Sequence, residues 1–405
     1  MSSLLDSTLS LQSSEAEAAS TASEPAWLAS LAHKRVLHVG KYYPPHMGGI
    51  ETHLQSLCQE LRRFVNLEVV VASDERRTLR ETVEGVEVTR VGTSFNFSSA
   101  PVCPAMASAI REAQADLIHI HLPNPTAILA YFASRARGRL VLTYHSDIIR
   151  QKILGRAFWP FLRRALERAE AVIVATPKHI SSSPILRRYS ERCRVIPYGI
   201  EVGSFQQPDA ATVKDIRRRH GPRIVLGVGR LVYYKGFEFL IRAMKDVEGQ
   251  LLIIGDGPLR ASLQREAEEL GLSDKVTFLI DVNDVRPFYQ AANVFALSSI
   301  ARSEAFGIVQ LEAMACGIPV VNTNLDSGVT FVSQDGVTGL TVPPADANAL
   351  AQAINSLLDD PARSAQFGEA GRVRVAKEFS LEGMTRRTLE LYAEVLQSKA
   401  DCGDS

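Results

Sequence analysis

RIVLGVGRLVYYKGFEFLI, residues 223–241, carries the reading that decides the fold. A β-type apolar run ends in a glycine-containing loop, and the loop holds Arg230 and Lys235 five residues apart. A strand that gives way through such a loop to a helical period is one unit of a parallel sheet. Reading toward the C-terminus, further strand candidates stand at 250–257, 275–280, 293–299, 318–323 and 339–344, with helical patterns at 347–360 and 381–397. Reading toward the N-terminus, an earlier set stands at 35–40, 67–72, 85–91, 116–121, 139–145, 171–176 and 194–199, with an amphipathic helix from Ile50 to about Leu61. Between the two sets, 201–222 breaks the apolar pattern, which places an interdomain linker at 199–206.

Strand and helix in alternation, twice over, predict an α/β chain of two doubly wound, Rossmann-like domains facing each other across a cleft. The expected boundaries are a disordered extension at 1–33, a first domain at 34–200, a second at 201–383, and a closing helix with tail at 384–405. Ligands of such sheets bind beyond the carboxyl ends of the strands, so functional residues should follow strands and point into the cleft.

Composition narrows the function classes. Charge is balanced over the 405 residues, 45 basic against 45 acidic, but residues 34–205 hold 24 Lys and Arg against 15 Asp and Glu. That excess suits an anionic partner, a phosphorylated ligand or a membrane surface, as well as a solvated arginine-rich face. Five cysteines without a C-x-x-C pair suit a reducing compartment. No apolar run approaches the roughly 20 residues that span a bilayer. The Ser-, Ala- and Glu-rich start lacks the basic and apolar parts of a signal peptide. The expected location is cytoplasmic, with peripheral contact at the inner face of the plasma membrane as a further expectation.

Five stretches carry chemistry. In KYYPPHMGGIE (41–51), Gly48 and Gly49 let backbone approach a bulky anion at the start of a helix, whose free N–H groups favour negative charge. Arg230 can fork onto a diphosphate and Lys235 can act as a point charge. In ARSEAFGIVQLEAMACG (301–317), Glu304 lies on the loop after a strand, and the amides of Phe306, Gly307 and Ile308 open a helix. Glu312, two turns on, is expected to face the cleft, where a carboxylate can accept both hydroxyls of a ribose. ADLIHIHLPNP (115–125) and TYHSD (143–147) put histidines at successive strand ends. One of His119 and His121 is expected on each side of the strand, with His121 at the cleft, and His145 and Asp147 are acceptor-side candidates. The stretch 152–170, with Phe158, Trp159, Phe161 and several arginines, reads as a helix covering the sheet, with an anionic membrane surface as its second reading.

Taken together, these motifs resemble the retaining nucleotide-sugar glycosyltransferases of family 4, which have the GT-B fold. The resemblance covers about 35–397, and its most specific part is EAFGIVQLEAMACGIPVV from Glu304, the family's E-x7-E segment. PPHMGG, GVGR…KG, IIGDGP (253–258) and HIHLPNP agree with it in order and spacing. By position, the resemblance implies Glu304 and His121 at the donor sugar, Glu312 on the ribose, and Arg230 and Lys235 on the diphosphate. Gly48 and Gly49 would lie where donor and acceptor meet, and the amides of Phe306 and Gly307 would lie on sugar hydroxyls. The closing helix would cross back onto the first domain.

The implied activity is hexosyl transfer from a nucleotide sugar to an acceptor hydroxyl with retained configuration. The stretch 320–344 resembles mannosyltransferases of surface-polysaccharide assembly, which favours GDP-mannose over a UDP-sugar. No D-x-D occurs in the chain, and no metal or other cofactor is expected. The partners expected are the nucleotide-sugar donor, a carbohydrate or lipid-linked acceptor and an anionic membrane, with no nucleic acid. A sugar-nucleotide epimerase or hydrolase of the same shape, or a binding protein that has lost catalysis, are the alternatives.

Overall fold

The computed structural model describes residues 25–397 other than Met47, 98–99, 147–151 and 208, and only the backbone of 152–157. Of the expected disordered extension at 1–33, residues 1–24 lie outside the described residues, as do Asp147 and the tail after Gln397. Residues 25–33 correct that expectation: they include the helix Ala26–Ala29, and Leu31 is fully buried in the core that the closing helix shares, with Trp27 and Leu28 packed against it, because their apolar side chains cover that core.

The first sheet has eight strands in the order β10-β9-β8-β7-β1-β2-β4-β3. They are β1 (Arg35–Val39), β2 (Asn66–Ala72), β3 (Leu79–Val83), β4 (Val86–Val91), β7 (Leu117–Leu122), β8 (Arg139–Tyr144), β9 (Ala171–Val174) and β10 (Cys193–Val195). All pair in parallel except β3, which runs antiparallel on β4 at the edge. A small hairpin, β5 (Phe95–Phe97) and β6 (Ala100–Val102), stands apart from the sheet. The second sheet has six parallel strands in the order β13-β12-β11-β14-β15-β16. They are β11 (Ile224–Val228), β12 (Gln250–Ile254), β13 (Val276–Leu279), β14 (Val294–Leu297), β15 (Val320–Thr323) and β16 (Gly339–Val342).

Sequence patterning leaves β3, the β5–β6 hairpin and several helices unmarked, the longest of them Pro361–Glu378. Every residue of β3 except Val83 is exposed, so it lacks the apolar run that marks a buried strand. The two sheets are buried on both faces, and their strands accordingly read as runs of Val, Ile and Leu.

Strand order reverses direction between β1 and β7 in the first sheet and between β11 and β14 in the second. Those reversals open crevices beyond the carboxyl ends. The loop after β1 carries Gly48 and Gly49, and the loops after β11 and β14 carry Lys235 and Glu304. The carboxyl ends of the two sheets meet. Lys178, beyond β9, pairs with Asp326, beyond β15, at 2.9 Å, and Arg302 donates to the Ser182 carbonyl at 3.2 Å.

The chain crosses between domains twice, side by side. Ile200 N–H donates to the Phe379 carbonyl and Leu381 N–H to the Ile200 carbonyl, both at 2.9 Å. Gly199 permits this approach, since a Cβ there would lie 2.4 Å from the Ser380 carbonyl oxygen. The closing helix, Leu381–Gln397, packs on the first domain, with Met384, Leu389, Tyr392 and Val395 in one core with Leu54, Leu57 and Val69.

Candidate active site

The loop after β11 is tied to the end of β14. Ser298 Oγ donates to the Lys235 carbonyl at 3.0 Å, and Ile300 N–H donates to the Tyr234 carbonyl at 2.8 Å. This brings Lys235 to Glu304, with Nζ 2.6 Å from Oε2 and both side chains about a tenth exposed. Ser299 Oγ donates to the same carboxylate oxygen at 2.9 Å. Gly229 leaves the space that Lys235 fills, because a Cβ there would lie 3.3 Å from Nζ. Burial alone would lower the Lys235 pKa. The Glu304 carboxylate overrides it, with help from Tyr234 and Glu312, and holds the ammonium above its ordinary value.

Glu312 lies on the helix Ile308–Ala315, which starts after Gly307 in the left-handed conformation at φ 77°. Its Oε2 accepts a 2.6 Å hydrogen bond from the buried Tyr289 hydroxyl. Burial raises the Glu312 pKa, against the opposing pull of that hydrogen bond and of Lys235. Two carboxylates eight residues apart thus share one ammonium between them, one by contact and one through the field. The amides of Phe306, Gly307 and Ile308 donate to no protein acceptor among the described residues. Arg230 is exposed, and its side chain makes no hydrogen bond or ion pair among the described residues.

On the first domain, Gly49 begins the helix Gly49–Leu61 and Gly48 precedes it in extended backbone at φ −179°. A Cβ on Gly49 would meet nothing within 4 Å, so that position faces open space. The amides of Gly49, Ile50 and Glu51 donate to no acceptor among the described residues.

The histidines depart from expectation. His119 and His121 share one face of β7, as a side-chain period of two requires, rather than facing opposite ways. The ring of His121 is 2% exposed, with Nε2 3.0 Å from His38 Nδ1 and Nδ1 3.0 Å from His145 Nε2. His145 is also buried, and its Nδ1 lies 2.5 Å from the Tyr198 hydroxyl. Both nitrogens of both rings are therefore engaged inside the first domain, and neither ring lines the seam. The strand ends do reach the cleft, but these side chains turn back under the helices that cover the sheet.

A pocket in the seam is lined instead by Tyr144, Ser146, His179, Ser182, Arg302 and Asp326, among others. Tyr144 and Ser146, Arg302 and Asp326 fall in stretches singled out from sequence, at 143–147, 301–317 and 320–344, although none of the four was named as a site residue, whereas His179 and Ser182 fall in none. The run Ser181–Ser183 beyond β9 was a readable signal, since it is polar and follows a buried strand. The helix Lys152–Arg168 covers the sheet with Leu162, Ala165 and Leu166 and leaves Trp159 and Phe161 exposed. No helix among the described residues is long and apolar enough to cross a membrane.

Comparison with known proteins agrees with this architecture. Residues 210–374 match the family described as glycosyl transferases group 1, and residues 47–203 match glycosyltransferase family 4. The chain is 33% identical over 371 residues to the O-antigen chain mannosyltransferase C of Escherichia coli, covering 90% of this chain and 100% of that one. It is 34% identical over 372 residues to the D-rhamnosyltransferase WbpZ of Pseudomonas aeruginosa, covering 90% and 97%. Anabaena Alr3699/HepE, solved with UDP-glucose, superposes at a TM-score of 0.76 with 21% identity, over 89% of this chain and 100% of that one, a likeness of fold. With its two parallel-sheet domains and its E-x7-E segment, the chain belongs to glycosyltransferase family 4, the group 1 glycosyltransferases of GT-B fold.

Proposed function

We propose that this glycosyltransferase moves a hexosyl group, mannose from GDP-mannose in preference to a UDP-sugar, onto a polysaccharide or glycolipid hydroxyl with retained configuration. The observation that carries the reading is Lys235, held charged between Glu304 and Glu312 at the crevice of the second sheet. Arg230 and Lys235 take the diphosphate, one as a fork and one as a point charge. The free amides at 306–308 meet oxygens of the donor, and Glu312 takes the ribose hydroxyls. Glu304 stands at the sugar, where positive charge develops as the bond from the anomeric carbon to the phosphate oxygen breaks. The acceptor oxygen bonds to that carbon on the same face, and its proton passes to the departing phosphate. The positioned cations act by neutralising the leaving charge in a site that needs no reorganisation. His121 and His145 act through the rings around them, and the seam pocket beside Ala305 is the candidate acceptor position.

The sugar is the part most open to test, since two relatives of near-equal identity carry names for different sugars. A thermal-shift panel of nucleotides followed by mass spectrometry of donor and acceptor products decides it. A nucleotide at a hundredfold excess over its dissociation constant should stabilise the fold by about 2.7 kcal/mol. We expect GDP to do so, and a response to UDP alone would remove the mannose assignment. Donor consumed in acceptor-free buffer as fast as in its presence would favour a hydrolase or epimerase.

No metal is assigned a role. Turnover in excess chelator is expected to equal turnover without it, and loss restored by manganese would overturn that. Peripheral membrane contact draws support from the exposed Trp159 and Phe161, each 44% exposed, beside the basic helix that bears them. Co-sedimentation with anionic liposomes, lost in high salt, is the expected result. Equal binding to neutral liposomes would contradict it.

A further inference from the structure

The face of the first sheet beneath the closing helix holds a row of imidazoles where its other positions hold Val and Leu. His38 lies on β1, His119 and His121 on β7, and His145 just past β8, and all four are at most 3% exposed. Burial, reinforced by the neighbouring histidines, pushes their pKa values down, that of His38 to about 3, so the rings are neutral near pH 7. A neutral imidazole offers one donor and one acceptor.

The rings and two tyrosine hydroxyls form one unbroken chain. The Tyr392 hydroxyl lies 3.0 Å from His38 Nε2, and His38 Nδ1 lies 3.0 Å from His121 Nε2. His121 Nδ1 lies 3.0 Å from His145 Nε2, and His145 Nδ1 lies 2.5 Å from the Tyr198 hydroxyl. A branch runs from the Tyr392 hydroxyl to His119 Nδ1 at 2.6 Å, and from His119 Nε2 to Thr143 Oγ1 at 2.6 Å. Each link needs one donor and one acceptor, so the chain admits two arrangements. Either Tyr392 donates to His38 and every ring carries its proton on Nδ1, or Tyr198 donates to His145 and every ring carries it on Nε2. A ring that changed tautomer alone would face acceptor with acceptor on one side and N–H with N–H on the other, both buried. The tautomers are therefore locked to one another.

The ends of the chain give it a task. Tyr392 belongs to the closing helix. Tyr198 immediately precedes the crossing at Gly199, and its ring packs on Phe306 of the donor loop, at 4.8 Å between centroids. It also packs on His53 of the helix that Gly49 begins, at 4.4 Å. We propose that Tyr392 and His38 are positioning residues for the donor site, acting through a tautomer-locked relay that fixes Tyr198 and so the Phe306 loop of the second domain against the first. The kinetic part of this rests on the donor site proposed above, whereas the relay itself does not.

Tyr392→Phe keeps the ring and removes the hydroxyl. Imidazole nitrogen NMR on histidine-labelled protein should give one shared tautomer for His38, His121 and His145 in the unmodified chain. In the variant, His145, which does not touch Tyr392, should shift or split between tautomers. With the preferred donor and acceptor, kcat should fall on the order of tenfold, with KM for the donor changed less than about twofold, the pattern of a misplaced group that acts in the transition state. Tyr198→Phe, at the far end, should disturb His38 in the same way, and it serves if the first variant fails to fold. Changes confined to His38 and His119 in Tyr392→Phe would reduce Tyr392 to local packing and overturn the relay. Stoichiometric zinc uptake would also overturn it, since His53, His121 and His145 lie close enough to share a cation and metal on His121 would break the chain. Coupled histidine signals without transfer from any donor would leave the relay standing and remove the transferase mechanism, and transfer without coupling would do the reverse.

Discussion

Lys235→Ala is expected to lower kcat at least about a hundredfold, the scale of removing a transition-state electrostatic partner. Nζ lies 2.6 Å from the Glu304 carboxylate, and both groups are about a tenth exposed, so water replaces little of what the ammonium supplies. The same substitution strands a largely buried carboxylate, an error that costs roughly 3–5 kcal/mol in comparable pairs. Loss of activity could then be mistaken for loss of fold. The double variant Lys235→Ala, Glu304→Gln separates the two, because it removes the stranded charge. It is expected to recover most of the lost melting temperature and none of the turnover. Lys235→Arg should also fail to restore activity, since Gly229 leaves room for a narrow aliphatic stem at 3.2 Å and not for a planar fork. Glu312→Ala should reduce turnover by a similar factor through the nucleoside. Near-normal turnover in both Lys235→Ala and Glu312→Ala would end the donor-site assignment.

Below pH 6.5 the fold should lose stability unusually steeply. His38, His53, His119, His121 and His145 are all buried and held neutral, with pKa values lowered from 6.5, to about 3 for His38 and about 4 for His53. The causes are burial first and then the other histidines. Neither Tyr392, Tyr198 nor Cys58, which adjoin the cluster, supplies a compensating negative charge at these pH values. A depressed histidine contributes stability that is intact above the unfolded pKa. That contribution is lost as pH falls from 6.5 toward the folded values, because only the unfolded chain binds the protons. Each such group costs about 2 kcal/mol by pH 5, and five together cost about 10 kcal/mol. This is comparable to the entire stability of an ordinary domain, about 5–15 kcal/mol. Glu312, whose pKa burial raises, acts in the opposite sense and offsets a small part. Far-ultraviolet circular dichroism should therefore place an acid transition near pH 5, with an uptake of about five protons per chain by calorimetry in two buffers. A flat profile from pH 7 to 4.5 would mean that these rings are not buried together.

Much of the proposed donor site was legible because its parts are local. The strand before Gly229, the loop to Lys235 and the segment from Glu304 to Glu312 each sit within a few residues of their neighbours in sequence, and their types name their chemistry. The histidines were legible as residues and misread as a constellation. His119 and His121 alternate with isoleucines, and a period of two puts them on the same face, toward a helix more than 250 residues further on rather than toward solvent. The hairpin edge Leu79–Val83 went unread because its side chains are exposed and carry no apolar run, although Glu84-Gly85, with φ of 49° and 81°, is the turn that closes it. The seam pocket draws on four loops of two domains, and no single stretch announces it.

The chain's own order of residues determined two doubly wound domains and their linker, and it brought out the carboxylates and cations of the proposed donor crevice, because backbone pairing and burial impose periods that a short window reveals. Tertiary structure alone decided that Lys235 closes on Glu304, that His121 is buried away from the cleft, and that Tyr392 reaches His119 across 273 positions. Those contacts depend on which strand ends and faces are brought together in space, and hydrogen bonds at 2.6 Å form wherever folding delivers the atoms, irrespective of how far apart they lie along the chain.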